Sequence, residues 1–369
     1  MTVAACLIVK NESQVIGRCL DSLREVVQAV VIVDTGSTDD TPEVIHRLDY
    51  PLPIHLHQRP WNNFAHNRTE LLRQASPVAD YLLLLDADQT VAGQLPELNA
   101  DAYTLLMRRG RVEYRNILLI RSSLPWRYEG VTHEYVICEL SAPAVPLDAL
   151  IVLDHEDGGG RPSGTQPRWE WDAQALEEEL AREPNNARYV FYLARSYEDL
   201  AATRPEDARS GEWRQRAMVR YQQRTRMAGF AEEVLYSFYR LGVLHLNEGD
   251  GLTFLLEAWQ RCPHRWEPVH EACRWLNQRG LYQASYALSK QALAAPATPA
   301  GLFVFPDVYD HLLLFEHGIS AYYVGQYRES LEANRTLLAK ALPWLIEDAV
   351  RRNIEFTMQR LAETARAAS

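Results

Sequence analysis

Two carboxylates one residue apart end an apolar run of strand length, Tyr81-Leu82-Leu83-Leu84-Leu85-Asp86-Ala87-Asp88. Side chains alternate in a strand, so Asp86 and Asp88 share a side if extension continues through Ala87. Like charges that close repel unless a divalent cation or a proton lies between them. Mg²⁺ and Mn²⁺ take carboxylate oxygens and share their shell with substrate phosphates. The competing reading is a strand closing in a solvated Asp-x-Asp turn, because Asp is common where strands end.

A second carboxylate ends a second apolar run in Val31-Ile32-Val33-Asp34-Thr35-Gly36-Ser37-Thr38-Asp39-Asp40-Thr41-Pro42-Glu43. This reads as strand, tight polar turn and helix start. Gly36 permits the turn, Thr41 is the expected N-cap, and Pro42 suits the first helical position. A carboxylate at such a strand end can accept hydrogen bonds from a base or a ribose. An ordinary strand-to-helix turn would look the same.

Elements must position these groups, and the chain supplies them in two styles. Over residues 1–160, short apolar runs alternate with amphipathic stretches. Expected strands are Val3–Val9, Val30–Val33, Ile54–His57, Tyr81–Leu85, Tyr103–Met107, Ile117–Arg121, Tyr135–Glu139 and Leu150–Leu153, with a helix-spaced segment from Ser13 to Val26. Strands interleaved with helices imply an α/β layer fold with a mainly parallel sheet. Such sheets bind ligands beyond the carboxyl ends of their strands, where Asp34 and Asp86 stand.

Gly158 to Gly164 is the clear linker, and residues 161–166 are taken as the junction. From 167 to 369 every periodic segment is helical, as in Tyr189, Leu193, Tyr197 and Leu200, or Val234, Phe238, Leu241 and His245. Gly280-Leu281-Tyr282-Gln283-Ala284-Ser285 matches Gly325-Gln326-Tyr327-Arg328-Glu329-Ser330 at a spacing of 45. That period is characteristic of stacked helical pairs.

The formal net charge of −11 disfavours a nucleic-acid partner, which needs a basic footprint. Hydrophobic residues make up 47%, enough for full cores. The five cysteines, Cys6, Cys19, Cys138, Cys262 and Cys273, form no C-x-x-C pair and read as reduced and mostly buried. No apolar run approaches the roughly 20 residues needed to span a bilayer, and the start lacks a basic n-region. A soluble, cytoplasmic protein is expected.

Lys10-Asn11-Glu12, then Val33 to Thr41, then Leu85-Asp86-Ala87-Asp88, in that order, resemble the family 2 glycosyltransferases. The resemblance covers about 155 residues. It implies an α/β N-terminal GT-A domain (nucleotide-diphospho-sugar transferase, Rossmann-like) that moves a sugar from a nucleotide diphosphate with inversion. By matching position, Glu12 and Asp34 would line the nucleoside pocket. Asp86 and Asp88 would hold the metal–diphosphate, with Asp88 the direct ligand. His155, in Leu153-Asp154-His155-Glu156-Asp157, would add a third contact to Mn²⁺ or Mg²⁺. Trp61-Asn62-Asn63-Phe64-Ala65-His66-Asn67-Arg68 resembles the aromatic Asn/Arg segment ahead of the metal motif. Arg68 is the expected phosphate contact, with a structural salt bridge as the alternative. Trp126-Arg127-Tyr128-Glu129-Gly130-Val131-Thr132-His133-Glu134 is similar to the region that carries a Gly and a His-Glu pair. Glu134 would be the base and His133 would orient it or bind the acceptor, with Asp157 in reserve. Aromatic flanks should desolvate Glu134, which raises a carboxyl pKa toward usefulness.

The second half, through Phe191-Tyr192-Leu193-Ala194-Arg195-Ser196-Tyr197 and Met227 to Glu233, resembles the tetratricopeptide-like tails of a bacterial subgroup of these enzymes. That implies an all-α tetratricopeptide-like C-terminal domain suited to a peptide or protein acceptor or to a homodimer, with a small-molecule acceptor as the alternative. The donor expected from the family is UDP-linked. Two other classes remain: a non-catalytic repeat scaffold with a relic first domain, and a nucleotidyltransferase. The latter would need a glycine-rich basic loop, which Leu7-Ile8-Val9-Lys10-Asn11-Glu12 lacks.

Overall fold

In the computed structural model, residues 1–48, 50–155, 157, 168–297, 301 and 303–367 are described. They form two compact units, Met1–Thr203 and Arg204–Ser369. The expected linker, 158–166, lies outside the described residues.

The first unit is built on ten strands: β1 (Val3–Val9), β2 (Ala29–Asp34), β3 (Ile54–Gln58), β4 (Tyr81–Leu85), β5 (Gln89–Gly93), β6 (Ala102–Arg109), β7 (Val112–Arg121), β8 (Arg127–Glu129), β9 (Tyr135–Ile137) and β10 (Val145–Asp154). Eight of these form one sheet in the order β3-β2-β1-β4-β7-β6-β10-β5, and β8 and β9 make a separate hairpin. The sheet is parallel at β3/β2, β2/β1, β1/β4 and β6/β10. It is antiparallel at β4/β7, β6/β7 and β5/β10. The sheet is therefore more mixed than the alternating pattern implied.

β1, β2 and β4 lie inside the sheet and read as continuous apolar runs because both faces are covered. Leu7, Ile32, Leu83 and Leu85 pack on one face, while Cys6, Val33, Leu82 and Leu84 pack on the other. Helix α1 (Ile16–Leu23) presents Ile16, Cys19, Leu20 and Leu23 to the first face. α2 (Thr41–Arg47) follows β2, and α3 (Phe64–Ala75) lays Leu71, Leu72 and Ala75 on the opposite face. From β1 the chain moves outward to β2 and β3, then returns to place β4 on β1's other side. The order reverses there, and such a switch leaves a crevice at the strands' carboxyl ends.

Strands β5 and β8 were not among the expected ones. Gln-Thr-Val-Ala-Gly and Arg-Tyr-Glu carry no apolar run, and only pairing with β10 and β9 makes them strands. Two further helices, α4 (Arg168–Arg182) and α5 (Ala187–Thr203), complete this unit.

The second unit is helical: α6 (Ser210–Arg224), α7 (Ala231–His245), α8 (Gly251–Arg261), α9 (Glu267–Gln278), α10 (Tyr282–Ala294), α11 (Leu313–Tyr323), α12 (Tyr327–Leu338) and α13 (Trp344–Ala367). Successive helices pack against one another, the arrangement of a helical-pair array. The 45-residue repeat is physical. Gly280 and Gly325 both have positive φ, at +71° and +82°. The amides of Leu281 and Gln326 bond back to the Leu276 and Ala321 carbonyls at 3.0 and 2.9 Å, closing α9 and α11 alike. In the helices that follow, the Ser285 and Ser330 hydroxyls donate to the Cys273 and Gly318 carbonyls across each pair.

Candidate active site

The apolar run of β4 stops at Leu85, and the chain turns at once. The Gln89 amide bonds to the Asp86 carbonyl at 3.1 Å, so Asp86 to Gln89 form a β-turn, which favours Asp at its first position. Extension does not continue through Ala87, so the condition under which strand alternation alone would put both carboxylates on one side is not met. Asp86 spends its carboxylate on Arg68 Nη2 and, at 3.4 Å, on the Gln89 side chain. The Asp86 amide in turn donates to Gln89 Oε1 at 3.1 Å.

Arg68 joins this turn to a distant part of the chain. Its Nε donates to Glu134 Oε1 at 2.8 Å while Nη2 holds Asp86. The side chains of Arg68 and Glu134 are 12% and 15% exposed, so the pair is largely removed from water. Burial works against the Arg68 charge, but Asp86 and Glu134 outweigh it and raise the guanidinium pKa further. The Tyr128 ring lies 5.5 Å from the guanidinium, and burial pushes its phenol up, so it stays neutral.

Several bonds explain why Arg68 occupies this place. Asn63 caps α3 by accepting the His66 amide at 2.8 Å. Buried Asn67 accepts the Asn62 amide at 2.9 Å and donates to the Pro60 carbonyl at 3.0 Å, tying the incoming loop to the helix. Thr69 accepts the Tyr128 amide at 2.9 Å and fixes β8 against α3. Of the three neighbours His66, Asn67 and Arg68, only Arg68 meets the carboxylates. Of the two expectations for it, the salt bridge is formed, and its Nη1 has no protein hydrogen bond among the described residues.

The rim beyond β1 and β2 is knitted together. Asn11, at φ +58°, accepts the Thr38 amide at 2.7 Å through its side chain. The Glu12 amide donates to the Thr41 hydroxyl at 2.7 Å, so Thr41 binds a neighbouring loop instead of capping α2. Asp39 does the local work, accepting the Thr41 amide at 3.1 Å and the Ser13 amide at 3.2 Å. Burial opposes its ionised form, but these donors prevail and hold its carboxyl below the usual range. Asp34 is buried, and its Oδ1 accepts the Gly36 and Ser37 amides at 3.0 and 2.8 Å. Glu12 and Asp34 therefore line adjacent loops at the ends of neighbouring parallel strands, with one oxygen of Asp34 committed to its own turn.

Asp88 and His155 are neighbours, the His155 amide lying 3.4 Å from the Asp88 carbonyl. The His155 Nε2 edge is held by the Thr90 hydroxyl at 2.9 Å. Asp157 takes a two-pronged bond from Arg18, at 2.6 and 2.9 Å, which holds its carboxyl below the usual range. Among the described residues no three His, Cys, Asp or Glu converge as a metal centre. A cation bound through one or two protein donors plus substrate phosphates does not need such a group. The backbone contact brings the Asp88 and His155 segments together, and a carboxylate and an imidazole are donor types that suit such a cation.

Residues 130–134 form the loop of the β8–β9 hairpin. Gly130 has φ +110°, and a Cβ there would meet the Thr132 carbonyl oxygen at 3.1 Å, so the loop needs glycine. His133 has φ +53°, a left-handed conformation that costs a non-glycine residue about 1 kcal/mol or more. Glu134 follows it directly and meets Arg68. His133 itself stacks on Tyr192 of α5, with ring centroids 3.9 Å apart. Sequence reading placed α5 in the second domain and so missed Tyr192 and Arg188 as neighbours of this loop. Their i, i+4 spacing was the available signal.

Residues 5–101 match the model of Glycosyl transferase family 2. A TPR repeat-containing protein of Synechococcus elongatus is 26% identical over 329 residues, 79% of this chain and 75% of its own length. The glycosyltransferase SunS of Bacillus subtilis is 23% identical over 53% of this chain and 49% of its own, so the chain spans about half of that relative. A crystal structure of S. aureus TarS with UDP aligns with TM-score 0.36 and 15% identity, over 72% of this chain and 93% of that one. Residues 5–101 thus carry a family 2 glycosyltransferase domain, and a helical-repeat region follows it.

Proposed function

We propose that the protein is a metal-dependent, inverting glycosyltransferase that uses a UDP-linked sugar and acts on a polypeptide acceptor. The observation that carries this reading is the single guanidinium of Arg68 spanning Asp86 and Glu134. It draws together the strand end where a diphosphate would sit and the carboxylate that would serve as base.

In an inverting transfer the acceptor's nucleophilic atom bonds to the anomeric carbon as the bond from that carbon to the diphosphate oxygen breaks. Glu134 takes the acceptor's proton as this happens, a contribution of roughly 10²–10⁴-fold in rate. Asp34 and Glu12 would hold the nucleoside. The Nη1 edge of Arg68 would face the diphosphate, whose oxygens match a planar fork. Asp88 and His155 would hold the cation, which when bound neutralises charge developing on the departing diphosphate. Asp86 would act through Arg68. The repeat array of the second unit would offer the acceptor an extended surface, the usual use of such arrays.

The test is calorimetry with UDP and a panel of UDP-sugars, with and without Mn²⁺, followed by donor hydrolysis. Native protein should bind one donor in a Mn²⁺-dependent manner. Asp88→Ala should stay folded and lose both the metal dependence and the hydrolysis. Full activity in that variant refutes the assignment.

A further inference from the structure

We infer that helix α5 belongs to the catalytic apparatus, where Arg188 and Tyr192 act as positioning residues that hold the 131–134 loop and so aim Glu134. The inference rests on the reading of Glu134 as the base. It goes beyond that reading by assigning a task to a helix that lies outside the matched family region of 5–101.

Three contacts converge on His133, the residue just before Glu134. Arg188 donates from Nη2 and Nε to the His133 carbonyl, at 2.8 and 3.3 Å. The His133 ring lies parallel to Tyr192, with 12° between their planes. The Arg188 guanidinium also lies 4.6 Å from the Tyr135 ring at the start of β9 and 4.8 Å from the Tyr192 ring of its own helix. Nearly every side chain from Tyr189 to Tyr197 is buried, which makes α5 a rigid support.

The physical need is plain. His133 is held in a left-handed conformation that L-residues leave when unconstrained. Its carbonyl orients the peptide that leads into Glu134. Pinning that carbonyl with a charged fork and the ring with a stack fixes both ends of the strained residue. A base displaced by about 1 Å can lose about 100-fold in rate.

The experiment uses the full chain. Amide exchange over residues 128–137, UDP affinity by calorimetry and donor hydrolysis are measured for Arg188→Ala, Tyr192→Ala, Tyr192→Phe and Glu134→Gln. Both alanine variants should exchange faster over the loop and hydrolyse the donor about 10- to 100-fold more slowly, with UDP affinity kept. Tyr192→Phe keeps the stacking ring and should recover most of the native rate. Unchanged exchange in both alanine variants overturns the inference whatever the chemistry. A loosened loop with unchanged hydrolysis overturns it too. Glu134→Gln separates this from failure of the base assignment, since only the latter leaves Glu134→Gln active.

Discussion

Both units bury arginine–carboxylate pairs, but they place them differently. In the second unit the pairs tie turns and neighbouring helices of the array: Arg224 with Glu233, nine residues on, and Arg265 with Glu267, two residues on, and with Glu232, 33 residues back. The guanidinium of Arg224 also bonds to the Met227 and Phe230 carbonyls, so it closes the turn between α6 and α7. In the first unit Arg68 reaches Asp86 and Glu134, which are 18 and 66 residues away, at the open end of the sheet. Pairs inside the array fasten turns and helices, whereas the pair at the open strand rim gathers the candidate site residues. The same lesson applies to Ser289, His317 and Glu329. Ser289 Oγ lies 2.9 Å from His317 Nδ1, and His317 Nε2 lies 3.2 Å from Glu329, a hydrolase-like chain of contacts. Yet Ser289 is 0% exposed and donates to the Ser285 carbonyl, so this is packing within the array.

The comparison can be broken experimentally. Glu233→Ala should have the largest effect, because it strands the fully buried Arg224 charge. The expected cost is about 3–5 kcal/mol in the denaturant transition of the helical unit. UDP affinity should not move, and a weakened affinity would erase the distinction drawn here. Next comes Arg68→Met, which removes the shared cation but keeps an apolar stem. Donor hydrolysis should fall about 100-fold with only a small change in Tm. Loss of stability without loss of rate would make Arg68 another turn fastener.

The smallest effect concerns Glu316, whose buried carboxyl is pushed up from the usual value near 4.5. A carboxyl raised in the folded state lends stability at low pH and loses it as pH rises through its folded pKa. Asn277 donates to Glu316 Oε2 at 2.7 Å, while Asn277 Oδ1 has no hydrogen-bond partner among the described residues. Glu316→Gln supplies a donor and removes the charge. It should raise Tm at pH 7 and leave it nearly unchanged at pH 4. An equal shift at both pH values would locate the effect in packing alone.

Much of this was legible in sequence where local chemistry sufficed. β1, β2 and β4 emerged as apolar runs because both of their faces are buried, and the 45-residue echo of Gly280 in Gly325 marked two helix ends of identical bonding. Asp34, Asp86, Asp88, Arg68 and Glu134 could be nominated from residue type and order. What failed did so for a physical reason. Thr41 carries the chemistry of an N-cap, yet its hydroxyl serves Glu12, and the chain turns after Leu85 where Asp-Ala-Asp spacing alone would let the strand run on. Polar β5 and β8 become strands only beside their partners.

Composition, period and motif order thus determined the two styles of fold and the helical repeat, because these depend on contacts within a few residues, and they nominated the candidate site residues by type and order. Only the tertiary structure decided that Arg68 is shared by Asp86 and Glu134, and that α5 lies against His133. Those contacts join segments 18 to 66 residues apart, and local propensity carries no information about partners at that distance.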